Sequence, residues 1–364
     1  MHLTGLGIVF AGGRGVDALA QSLTSGWRPP EMRAVPGRAE PLPVYAVPAA
    51  ALEDKITLGK ARRADRFTRL ALLAAADAWQ DSGLAPRTPS DRLGVVVATG
   101  LGPHVTTFGF LDGILDFGEA AASPTAFSHS VHNAAAAYIA TTLNVRGPTL
   151  TLTHFHFAFH EALLTASCWL AEGRCDAVLV VTVDELGSVL EHVCSRLLAP
   201  AVDGRIKPFA CAAPPVAVPG EGGVCLVLTR NPTPTSYAQI QSGAGAPPAD
   251  SGNQQETGAT SLLLLDACGM ATDERSYRAA VPAGARVASY TPLLGSTFLS
   301  SAFHAAVSAL MLKRQICYAC PVTDNPHGFA ICEQTAPASL REIACIRLDC
   351  VGEERIIRLV KSEK

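Results

Sequence analysis

Charge is scarce in this chain. Asp, Glu, Lys and Arg make up only 17% of its 364 residues, the net charge is −3, and basic residues never cluster into a run. A nucleic-acid partner would need a basic stripe, so none is expected. Long apolar runs are also missing, and nothing reaches the roughly 20 residues of a membrane-spanning helix, so no membrane role is expected. The opening residues, MHLTGLGIVF, start directly on a strand pattern without a leader, which points to a cytoplasmic protein. Gly5-Leu6-Gly7 lacks the third glycine of a dinucleotide fingerprint, and its glycines lie inside the strand. No cofactor is therefore expected. The 11 cysteines are odd in number and fall mostly within helix and strand runs, as reduced buried thiols do. Cys317-x-x-Cys320, with Cys332, Cys345 and Cys350, lacks a second close pair: Cys345 and Cys350 are five apart on one strand, facing opposite ways. No metal is expected there.

What the chain has in quantity is apolar surface. Hydrophobic residues make up 48%, enough for a large core and for extra surface buried in an oligomer. Strands at Leu3–Phe10, Leu93–Ala98, Ala177–Val181 and Gly220–Leu228 alternate with helices at Val16–Ser25, Asp65–Ser82 and Ala134–Leu143. The stretch 231–236 reads as a join. A second set follows, with strands at 237–243, 261–266 and 286–290, a helix at 298–314, and strands at 343–349 and 355–360. The segment 184–199 is expected to be helical, and 247–260 to be a mobile polar loop. Alternation in both halves argues for an α/β fold with packed sheets, divided into residues 1–230 and a shorter second half, 231–364.

The central stretch is GPTLTLTHFHFAFHEALLTASCWLAEGRCDAVLVV, Gly147–Val181. It reads strand, sharp elbow, helix, turn, strand. Such an elbow presents one side chain and several backbone N–H groups at a single point, where α/β enzymes often hold a nucleophile. Here the point is occupied by His156, with His154 and His160 beside it. His156 and His160 are four apart, the spacing of two imidazoles on one metal, but the carboxylate context of a zinc site is missing. Phe155, Phe157 and Phe159 alternate through the elbow as either the floor of a substrate pocket or simple filling.

The order of motifs resembles the β-ketoacyl synthases. The matching stretches are TGLGIV, DRFTRLALLAAADAWQDSGL, DRLGVVVATG, RGPTLT, GRCDAVLVV, RIKPF and PGEGGVCLVL, with TPLLGST and MLKRQICYACP in the second half. The resemblance is collinear over nearly the whole chain and implies a thiolase-like fold: two similar α/β halves in an α-β-α-β-α layering. Condensation in that family uses an elbow Cys as acyl carrier and two histidines that stabilise an oxyanion. Those positions fall on His156, Cys268 and Ser296; a supporting Lys falls on Thr291, and a glycine-rich oxyanion loop falls on Val351-Gly352-Glu353-Glu354.

Every position of that machinery is replaced, so no condensation is expected. What the resemblance then implies is a chain-length-factor-like subunit of a type II polyketide, polyene or fatty acid synthase. It would pair with an active ketosynthase, receive chains from acyl carrier protein and shape the acyl tunnel. Phe155, Phe157, Phe159 and Phe298 are the expected substrate contacts. His129, His132 and Asn133, in the segment Ser123–Asn133, are the expected interface. Members of that kind typically carry Gln at the elbow, so His156 departs from them too. Two alternatives stay open: an enzyme acting on acyl thioesters through His154, His156 and His160, and a homodimeric scaffold.

Overall fold

In the computed structural model the alternating strands and helices form one large mixed sheet with helices on its faces. Residues 1–199, 201–212, 214–243, 260–270, 274–348 and 352–362 are described. The loop expected at 247–260, apart from Thr260, lies outside them, as do Cys350 and Val351. Strands His2–Phe10, Gly222–Thr229, Ala177–Asp184, Leu93–Thr99 and Thr149–Thr153 lie side by side in that order. Their successive pairings are antiparallel, antiparallel, parallel and parallel.

The second half repeats the scheme. Ala238–Gly243, Glu354–Lys361, Leu340–Leu348, Thr260–Asp266 and Arg286–Ala288 follow one another with the same series of polarities. Short strand Ala330–Ile331 extends its outer edge. The two runs meet where His2 and Leu3 pair with Gln239 and Ala238.

Alternation along the strands sorts their side chains into layers. Val95 and Val97 face a core formed with helices Arg66–Ser82 and Ala134–Leu143, whereas Val96 and Ala98 face the opposite side. On that opposite side helices Ala158–Ala171 and Ser300–Arg314 share one core with strands of both halves. Ser300–Leu312 is buried at every position, as expected for a helix enclosed on all sides. Tyr277 and Ala280, from the helix Glu274–Ala280, cover the far face of the second half. The layering is α-β-α-β-α.

Three segments differ from the sequence reading. The strand runs on to Asp184, so the following helix is only Ser188–Leu197. Helix His104–Phe117 has no counterpart in that reading, because only His104 is buried and its apolar residues form no stripe towards the core. Within Ser123–Asn133 a short helix, Pro124–Ser130, forms where Ser123 Oγ accepts from Ala126 N at 3.2 Å. Among the described residues no helix is long and apolar enough to cross a membrane.

Candidate functional site

The elbow is built as expected from its flanks. Thr149–Thr153 is a strand, residues 154–157 turn, and the helix starts at Ala158. His154 Nδ1 accepts from the backbone N–H of His156 at 3.1 Å and of Phe157 at 3.0 Å, in the turn that leads into the helix. The imidazole thus occupies the N–H groups of the elbow, and these two are not available to hold an oxyanion. Nothing in the spacing of the histidines marks this role.

The three histidines go to three places. His156 lines a cavity of about 280 Å³. His160 is buried between Phe157 and Phe159, and burial lowers its pKa to about 4, so it stays neutral. His156 precedes the helix, so the four-residue spacing does not put it on a helical face with His160. No group of three or more His, Cys, Asp or Glu side chains suited to a metal occurs among the described residues.

Cys268 and Ser296, distant in sequence from the elbow, line the same cavity as His156. Ser296 Oγ donates to Cys268 O at 2.7 Å, tying the two strand ends together. Thr291, at the expected lysine position, is fully buried and its hydroxyl donates to Ala267 O. Burial pushes the Cys268 thiol up in pKa, although Arg347 pulls the other way. A protonated thiol is a poor nucleophile.

Of the four phenylalanines, Phe298 lines the cavity and Phe155 packs on it with ring centroids 5.6 Å apart. Phe157 and Phe159 do not line it: they are 3% and 1% exposed, and Phe159 belongs to the central core. His132 and Asn133 are exposed, and His132 lies against Gly102, where an added Cβ would sit 2.4 Å from its ring. His129 Nε2 is 2.9 Å from the Tyr138 hydroxyl.

Sequence reasoning missed the charged wall. Asp266, two residues before Cys268, pairs with Arg347 at 3.0 Å, and both are buried. Burial works against the Asp266 carboxylate, but Arg347 above all, with Ser301, outweighs it and holds its pKa low. Arg347 also donates to Ser300 Oγ at 2.9 Å. His304 Nδ1 donates to Ser300 O at 2.9 Å and its Nε2 accepts from Tyr290 N at 3.0 Å, which fixes a neutral tautomer. These partners are 81 residues apart in sequence for Asp266 and Arg347, so no local motif announces them.

Two more acids complete the wall. Burial raises Asp184 to about 7, against hydrogen bonds from Gly100 N and Thr99 Oγ1 at 2.9 Å each. Burial raises Glu185 to about 8 in the same way, while Val105 N donates to it at 3.0 Å. The folded chain therefore holds protons that the unfolded chain has released. Stability from these two groups is fully present below the ordinary carboxylate range and is lost as pH rises through about 7 and 8. A variant carrying Asp184→Asn and Glu185→Gln should keep more of its stability between about pH 5 and 8 than the parent, by a few kcal/mol in order of magnitude. Thermal unfolding across that range checks this; parallel curves would mean the acids do not titrate in the fold.

A second cavity of about 330 Å³, between Gly12, Arg28–Glu31 and Val44–Ala46, contains none of the elbow or strand-end residues. The convergence of the elbow and both strand ends makes the smaller cavity the candidate site.

Two α/β runs of the same strand order, packed around paired central helices with a strand–helix elbow beside the ends of the second run, define a thiolase-like fold. The model of the β-ketoacyl synthase N-terminal domain matches residues 2–233, and the chain belongs to the β-ketoacyl synthase family. It is similar in structure to the ishigamide ketosynthase/chain length factor, at TM-score 0.78 and 18% identity, covering 100% of this chain and 99% of that one. A β-ketoacyl synthase from Burkholderia phymatum STM815 gives TM-score 0.78 at 16% identity, covering 100% and 99%. The ketosynthase from module 6 of the bacillaene synthase of Bacillus subtilis 168 gives 0.69 at 14%, covering 100% of this chain and 72% of that one. No curated protein matches the sequence.

Proposed function

We propose that this protein is a non-condensing, chain-length-factor-like subunit that pairs in the cytoplasm with an active ketosynthase and helps to hold a chain delivered by acyl carrier protein. One observation carries the reading: His156, Cys268 and Ser296 converge on a single cavity, yet the elbow N–H groups beside it are already capped by His154. The scaffold is kept while the chemistry of acyl transfer is gone. In this reading residues 1–230 and 231–364 are the two halves of the scaffold, and Phe298 and Phe155 lie where an acyl chain would pass.

The surface supports pairing. Thr149–Thr153 ends the sheet, hydrogen-bonded to Leu93–Thr99 on one side, and Leu150 on it is 39% exposed. Leu164, on the helix packed against it, is exposed, and so are Phe108, Leu111, Leu115, Phe117 and Phe127. An open edge strand with such a surface is an association site that a monomer would leave at risk of aggregation. His129, His132 and Asn133 belong to the same region and fit an interface role.

Co-expression with a ketosynthase bearing the Cys and both His is the test. A stable one-to-one complex is expected, with Leu115→Glu combined with Leu164→Glu weakening it by at least about a hundredfold, in line with losing central apolar contacts. A chain that never copurifies and is a stable monomer alone would end the proposal. Thioester hydrolysis rests on His156 alone, since His154 is a cap and His160 is in the core; equal acyl-thioester turnover by parent and His156→Ala would dispose of it.

A further inference from the structure

The outer edge of the second half holds three cysteines that the candidate site does not use. Cys317 ends the short strand Ile316–Cys317, Cys320 follows in the next loop, and Cys332 lies just past the edge strand Ala330–Ile331. Backbone hydrogen bonds tie these segments together. Ile316–Cys317 pairs antiparallel with Ala336–Pro337, Ala338 N–H donates to Gln315 O at 3.0 Å, and Cys320 N–H donates to Cys332 O at 2.7 Å. Between them, Ala319 N–H donates to Thr335 Oγ1 at 3.0 Å. Cys317 and Cys332 consequently face each other with their sulfurs 2.6 Å apart, and both are 3% exposed. None of the three cysteines lines the cavity at the elbow.

The chemistry of the pair follows from that separation. Heavy atoms in non-bonded contact stay roughly 3.5–4 Å apart, whereas a disulfide brings two sulfurs to about 2.05 Å. The Cys317 and Cys332 sulfurs are nearer to the bonded value, so the folded backbone already holds them within reach of a bond. A metal is not what gathers them, since among the described residues no group of three or more side chains suits one. The two cysteines are 15 residues apart in sequence. The stretch between them carries Ala330–Ile331, the outermost strand of the sheet, which is paired only on its inner side with Arg286 and Val287. Closing that loop would restrain the least supported strand of the sheet.

We propose that Cys317 and Cys332 are a redox-active dithiol that closes into a disulfide by exchange with a small-molecule disulfide of the glutathione type, stapling the edge strand Ala330–Ile331 to Ile316–Cys317. One protein thiolate attacks the small disulfide, releases its first thiol and forms a mixed disulfide. The second protein thiolate then attacks the protein sulfur of that bond and releases the other thiol. Two S–H bonds and one S–S bond break, and the protein loses two electrons that the small disulfide gains. The two protein protons end on the two released thiols. Burial pushes the Cys317 thiol up to about 12 in pKa, so exchange proceeds through transient opening of the edge, and the buried product is equally shielded from reduction. Cys320, which accepts from Ser289 N–H at 3.4 Å, stays outside the bond. The staple stands whether or not the chain pairs with a ketosynthase.

Incubation of the whole chain with about 5 mM reduced and about 0.5 mM oxidised glutathione, in about 1 M urea to favour local opening, tests the proposal. Samples are quenched with acid, alkylated and mapped by peptide mass until the map no longer changes. The parent should lose two of its 11 thiols to a Cys317–Cys332 link in most molecules. Exposed Cys168 should carry only a mixed disulfide with glutathione, at an occupancy at least about tenfold lower, because no second protein thiol closes on it. Cys320→Ser should leave the link unchanged, and Cys332→Ser should abolish it and leave Cys317 as a thiol. After removal of urea, the oxidised parent should unfold a few degrees above the reduced one, a difference that Cys332→Ser removes. A link from Cys320 to either partner would overturn the proposal. So would a constant map in which Cys317 and Cys332 are alkylated as fully as the other buried thiols, since the pair would then have no preference for the bond.

Discussion

Arg347→Met is expected to destabilise the protein by roughly 3–5 kcal/mol at neutral pH, because it leaves a buried charge without its partner. The Asp266 side chain is 1% exposed and that of Arg347 6%, so solvent cannot replace the lost guanidinium. Ser301 still donates to Asp266, but a hydroxyl is a weaker partner than a cation, and His304 is held neutral by its own hydrogen bonds. Without Arg347 the Asp266 pKa should rise above its unfolded value. The deficit should then be full at neutral pH and shrink as pH falls towards the carboxylate range, where the folded variant takes up a proton. Adding Asp266→Asn removes the stranded charge and should recover most of the loss. Urea unfolding of both singles and the double at about pH 7 and 5 provides the cycle. A single variant within 1 kcal/mol of the parent, or a double no better than the single, would sink this account of the wall.

The other large effect concerns glycine. Gly7→Val should cost upwards of about 4 kcal/mol or prevent folding, a loss typical of overpacking against rigid backbone. A Cβ at Gly7 would sit 2.0 Å from Ala74 O and 2.6 Å from Ala78 N, and one at Gly5 would sit 2.3 Å from Ala78 O. Helix Arg66–Ser82 therefore lies directly on strand His2–Phe10, backbone to backbone, and has no side chain to swing aside. Gly223, on the neighbouring strand, meets the same helix 2.6 Å from Leu70 O. By contrast, a Cβ at Gly109 meets nothing within 4 Å, and the position lies inside helix His104–Phe117. Gly109→Ala should therefore be neutral or stabilising by up to about 1 kcal/mol. Thermal unfolding of the two variants side by side distinguishes clearance from backbone entropy; a soluble Gly7→Val with parental stability would refute the contact.

That contrast also shows where sequence reading stops. Gly5-Leu6-Gly7 fails as a dinucleotide motif, and its position within a strand says so. Its actual purpose, making room for a helix about 70 residues further on, depends on which elements cross and at what distance. The helix His104–Phe117 escaped for a related reason. Periodicity reports a helix through the stripe it turns towards the core, and this one keeps Phe108, Leu111, Leu115 and Phe117 partly or largely in solvent.

By itself the sequence determined the α/β class, the doubled order of elements and the absence of Cys and His from the three positions that the resemblance assigns to catalysis. Strand and helix periods are local, and a catalytic thiol or imidazole is either at its place in a collinear series of motifs or is not. Only the tertiary structure decided what surrounds those positions. His154 caps the elbow because chain reversal brings its ring under the N–H groups of residues 156 and 157. Asp266 meets Arg347 because Thr260–Asp266 pairs in parallel with Leu340–Leu348, setting those two residues side by side. His156, Cys268 and Ser296 line one cavity because the elbow and the segments after two strands converge there. Those outcomes depend on distances through space between residues far apart along the chain, and on whether each buried group finds a partner, which no local pattern of residues records.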